Sequence, residues 1–75
     1  MNLNLICKEF RINILKITLS ELSNASGINL KTISAFENSR SNNCEHIIAY
    51  LNVATENQRE QFYTLISKNI GGNNV

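Results

Sequence analysis

The chain has no proline, no aspartate, one histidine, two cysteines and three glycines in 75 residues. Each shortage excludes something. Without proline, nothing in the sequence obliges a helix to kink or break. Without aspartate, and with His46 as the only imidazole, no catalytic constellation assembles; there is no glycine-rich phosphate loop or nucleophile motif either, so no enzyme is expected. Cys7 and Cys44 are too few for a disulfide framework and read as small buried apolar residues. A zinc site built from Cys7, Cys44, His46 and a glutamate would follow no recognised spacing, so no metal or other cofactor is expected. The longest apolar run, Ile47 to Leu51, is far short of a membrane span. No basic segment leads into an apolar one, so a signal peptide is not expected; the expected location is the cytoplasm, with no membrane partner and no small-molecule ligand. Charge is scarce too: seven Lys and Arg against six Glu leave a net +1, little for a chain that binds nucleic-acid phosphates.

What is present is apolar periodicity at helical spacing, within a length that makes one small domain. Leu3, Ile6, Phe10, Ile14 and Ile17 form one stripe, which Leu5, Ile12 and Leu15 widen, so a helix over 3–17 with a broad buried face is expected. Cys44, Ile47, Ile48 and Leu51 share a face of a helix from Cys44 to about Leu51, capped by Asn42 or Asn43. Thr55-x-x-Gln58 is a capping box opening a last helix from Glu56 to about Asn69. On it Phe62, Leu65, Ile66 and Ile70 form a stripe with Tyr63 beside it. That is more apolar surface than one edge of a small core needs. Its use is either a homodimer interface or packing across the first helix. Residues 71–75 read as a flexible tail.

The chain is organised around Thr18 to Asn38. Thr18 and Glu21 make a capping box, so a helix starts at Leu19, with Leu22 and Ala25 turned inward. Gly27 permits a sharp left-handed turn, and Asn29 caps a second helix running to about Asn38. On this second helix Ile33 and Phe36 face inward. Lys31, Ser34, Ala35 and Asn38 face outward, making a small, polar surface that suits a DNA major groove.

Leu22-x-x-x-x-Gly27-Ile28 followed by Thr32-Ile33-Ser34-x-Phe36-Glu37-Asn38 resembles the helix-turn-helix of the phage repressor and Cro (Xre) family. The resemblance is specific over roughly 20 residues. It implies an all-α, five-helix bundle with a helix-turn-helix, lambda-repressor-like, spanning residues 1–70 and ending in a dimerisation helix. It also implies a small dimeric transcriptional regulator bound to an inverted repeat in double-stranded DNA, of Cro-like repressor or restriction-modification controller type. Base-reading residues are then expected at Asn29, Leu30, Lys31, Ser34, Ala35 and Asn38. Leu30 either meets a thymine methyl group or closes the core edge. Phosphate contacts are expected at the helix start near Leu19, at Arg40 and at Asn42, with Arg40 otherwise a solvated loop residue. The resemblance further implies an ion pair between Arg11 and Glu37, although Arg11 lies one residue further from Thr18 than the family's spacing; the alternative is a solvated arginine. Ser39 stands where the family commonly has glycine, so a differently built helix end is expected. From another class, the rival reading is a helix-turn-helix scaffold that binds protein, as an antirepressor or inhibitor.

Overall fold

Side chains fix most of the helix starts. Asn2 Oδ1 accepts the Leu5 N–H at 3.1 Å. Thr18 Oγ1 accepts the Glu21 N–H at 3.1 Å, and the Glu21 carboxylate accepts the Thr18 N–H at 2.9 Å. Asn29 Oδ1 accepts the Lys31 N–H at 2.8 Å. Thr55 and Gln58 repeat the reciprocal box at 3.2 and 2.8 Å. Each pairing satisfies backbone donors that the first helical turn leaves open.

The computed structural model describes residues 2–40 and 45–71, which form five helices and no strand. Helix α1 (Leu3–Glu9) continues as a π-helical segment (Phe10–Leu15); α2 (Leu19–Ser26), α3 (Leu30–Glu37), α4 (His46–Val53) and α5 (Glu56–Gly71) follow. Thus the first helical stretch is not one α-helix over 3–17: it widens at Phe10 and stops at Lys16, which turns left-handed at φ 55°. Helix α4 starts at His46 with Glu45 at its cap. Cys44, Asn42 and Asn43, expected as its start and caps, lie outside the described residues. Helix α5 reaches Gly71, a residue expected in the tail; the rest of that expected tail, 72–75, lies outside the described residues.

Helix α1 packs on α3 and α5, and α2 packs on α3 and α4. The core joins Ile6, Cys7 and Phe10 to Leu22, Ile33, Phe36, Tyr50 and Phe62, all buried. Three expected faces are corrected. Leu5 and Ile12 are about half exposed, so α1 buries a narrower stripe than its composition implies. Ala25 is exposed; α2 instead presents Leu22, with Leu19, Ser23 and Ser26 half-buried. In α4 the buried residues are Ala49 and Tyr50, while Ile48 is 58% exposed.

Candidate functional site

The α2–α3 pair rests on a buried polar network. Arg11 Nε donates to Glu37 Oε2 at 2.7 Å and its Nη2 donates to Oε1 at 2.9 Å, a two-point pairing. The Tyr50 hydroxyl donates to the same Oε2 at 2.8 Å. Arg11 Nη1 donates to the Ile17 carbonyl at 2.9 Å, so one side chain ties the end of the first helical stretch to α3. Arg11 sits in the π segment, whose i→i+5 bonding takes roughly one more residue per turn than an α-helix. The carboxylate raises the already high pKa of the guanidinium. Burial, then the hydrogen bond to Glu37, pushes the Tyr50 hydroxyl well above its ordinary range. Helical periodicity does not single out Tyr50. The signal present in the sequence is a tyrosine inside an apolar run, where a buried hydroxyl needs a partner.

The turn between α2 and α3 is three residues long. Gly27 adopts φ 76° and its N–H donates to the Ser23 carbonyl at 2.9 Å. The Ser23 hydroxyl donates forward to the Ile28 carbonyl at 2.6 Å, fixing the turn from inside. Asn4 Nδ2 donates to the Phe36 carbonyl at 2.6 Å, holding the far end of α3 against α1. That end is closed by Ser39 at φ 61°, with the Ser39 N–H donating to Phe36 O at 3.1 Å and the Arg40 N–H to Ala35 O at 2.8 Å. This is the paired-bond ending that glycine usually supplies. Here serine itself adopts the left-handed conformation.

On the solvent side of α3, Asn29, Leu30, Lys31 and Asn38 are exposed, and Ser34 and Ala35 are half-buried. Asn38 Nδ2 donates to the Ser34 carbonyl at 2.9 Å while the residue stays exposed. Thr32, absent from the expected set, is exposed at the edge of this face. Arg40 is exposed just beyond it. Since Arg11 neutralises Glu37 within the core, no uncompensated acid lies on α3. Leu19 is half-buried at the start of α2 and, with Leu30, Ile12 and Ile17, walls a groove of about 660 Å³. The Glu21 carboxylate sits at the same helix start and opposes an anion there. Asn42 falls outside the described residues.

The expected dimer patch is not an exposed surface. Phe62 is 1% exposed and packs on Phe10 with ring centroids 4.8 Å apart. Leu65 and Ile66 are half-buried against the core, and Tyr63 is exposed. The Ile70 side chain lies outside the described residues. The stripe therefore belongs largely to packing across the first helical stretch.

Among the described residues there is no cluster of three His, Cys, Asp or Glu side chains that could hold a metal ion, and no helix long and apolar enough to cross a membrane. Comparison of the chain with protein-family models, curated proteins and solved structures finds no match.

Proposed function

We propose that this chain binds double-stranded DNA sequence-specifically, as a small transcriptional regulator of the helix-turn-helix kind, with α3 as the reading helix. The observation that carries the reading is α3 itself. It follows α2 across a three-residue turn, is anchored by Glu37, and exposes Lys31 and Asn38 with no uncompensated acid on the helix itself. Such a helix presents donors and acceptors to base edges in the major groove. Lys31 donates to guanine O6 or N7, Asn38 offers its side-chain oxygen to a base amino group, and Ala35 leaves room for close approach. Arg40, beyond the end of α3, meets a phosphate and sets register. Two copies on an inverted repeat, with half-sites about 34–36 Å apart, complete the reading. Phe62 takes no part in their contact, because it is buried.

The test is selection of bound duplexes from a random pool at low salt, followed by titration on the selected and scrambled sequences. The reading expects an enriched motif that binds roughly a thousandfold more tightly than scrambled DNA. No enrichment would leave the second reading, a scaffold for protein binding. That reading is favoured by one observation: Leu30 and Ile12 expose apolar surface along the groove beside α3.

A further inference from the structure

The groove beside α3 is apolar within and basic at its rim. Ile12 and Leu30, 48% and 39% exposed, line it with the half-buried Ile17 and Leu19, and the exposed Lys16 belongs to the same lining. Elsewhere on the molecule, α5 carries a row of opposite character. Glu56, Glu60 and Tyr63 follow one another at i, i+4 and i+7, which places them on one face of the helix. All three are exposed, Tyr63 at 53%. Among the described residues neither Lys16 nor Glu56 nor Glu60 has an ion-pair partner. Phe62 pins α5 to Phe10, and Glu60 lies beside a groove that it shares with Ile14 of the same copy, while its side chain stays exposed.

We propose that this α5 face of a second copy seats in the groove, with Tyr63 between Ile12 and Leu30 and the carboxylates of Glu60 and Glu56 against Lys16. An aromatic ring with a polar tip suits a shallow apolar slot whose edge carries Thr18 and Ser20. A single turn of helix separates Tyr63 from Glu60, so ring and carboxylate can engage slot and rim together. The contact joins unlike surfaces, closing into a dimer only where a two-fold axis makes it reciprocal. It covers Leu30 and crowds Lys31, so this particular contact and DNA binding exclude each other. This last consequence rests on the DNA reading; the contact itself does not.

Sedimentation velocity of the whole chain, without DNA, tests the contact. The wild type should associate between roughly ten and a few hundred micromolar, the range of weak transient dimers. Lys16→Glu and Glu60→Lys should each raise the dissociation constant about tenfold or more, and the double variant should return to within about threefold of wild type. Tyr63→Ser should abolish association, and this variant decides the outcome if circular dichroism shows that either charge variant misfolds. A wild type that stays monomeric throughout overturns the proposal, as does a double variant no better than the singles. Random duplex DNA added at low salt should dissolve the associated species. If charge reversal restores association yet DNA does not compete, the contact stands and the DNA reading falls.

Discussion

Ser39 holds φ at 61°, a conformation that costs an L-residue roughly 1–2 kcal/mol and glycine almost nothing. Ser39→Gly should therefore stabilise the domain by about 1 kcal/mol and raise Tm by about 4–8 °C, read by thermal denaturation. An unchanged or lower Tm would mean that the serine makes a contact offsetting its strain. Tyr50 gives a second residue-scale test, through pH. Its hydroxyl keeps its proton in the folded chain to well above the ordinary value of 10.0, because burial and the Glu37 carboxylate both disfavour the phenolate. The unfolded chain loses that proton near its ordinary value. Above it the folded state binds the extra proton, so stability falls with rising pH, by up to about 1.4 kcal/mol per pH unit from this group. The stabilisation is fully present below pH 10. Urea titrations of wild type and Tyr50→Phe at intervals from neutral pH to about pH 11, one unit past the ordinary tyrosine value, should converge as pH rises. Parallel curves would place the hydroxyl in water.

At the scale of elements, two joints carry the fold. The Arg11–Glu37 pair fastens the first helical stretch to α3, and Glu37→Gln leaves a buried guanidinium without its counter-charge. The expected loss is roughly 3–5 kcal/mol, severe for a domain of this size, and a Tm lowered by only a degree or two would contradict it. The Phe10–Phe62 contact fastens α5. Phe62→Glu places an unpaired carboxylate in the core, where even Phe→Ala costs about 3–5 kcal/mol, so circular dichroism should show an unfolded chain. Tyr63→Glu, at the surface, should leave a cooperative helical melt. The two capping boxes and the Gly27 turn were legible in the sequence because their causes are local: a side chain and a backbone donor three residues apart. The π segment was not, since nothing in the apolar spacing of residues 3–17 marks the widening at Phe10. Nor was the rotation of α4. Ile47 to Leu51 is apolar on every side, so periodicity cannot choose Tyr50 over Ile48 as the buried residue. For α5 the stripe identified an apolar face without identifying what covers it.

At the scale of the molecule, a net charge of +1 conceals where the charges lie. Arg11 and Glu37 cancel in the core, Glu56 and Glu60 stand on α5, and Lys31 and Arg40 are exposed on and just beyond α3. A weak overall charge is thus compatible with a locally basic reading face, because phosphate attraction is set by charges within about 10 Å at ordinary salt. The residues of that face were legible as one side of a helix; its neighbouring groove was not, since Ile12, Lys16 and Leu30 meet only after folding. The central claim is that α3 reads bases while Arg40 holds the backbone. It is tested most directly by binding titrations of wild type, Asn38→Ala and Arg40→Ala on selected and scrambled duplexes across a salt series. Asn38→Ala should cost about 1–3 kcal/mol on the selected site and little on scrambled DNA. Arg40→Ala should weaken both alike and make the salt slope shallower by about one unit. If both folded variants bind every duplex as the wild type does, the claim is contradicted.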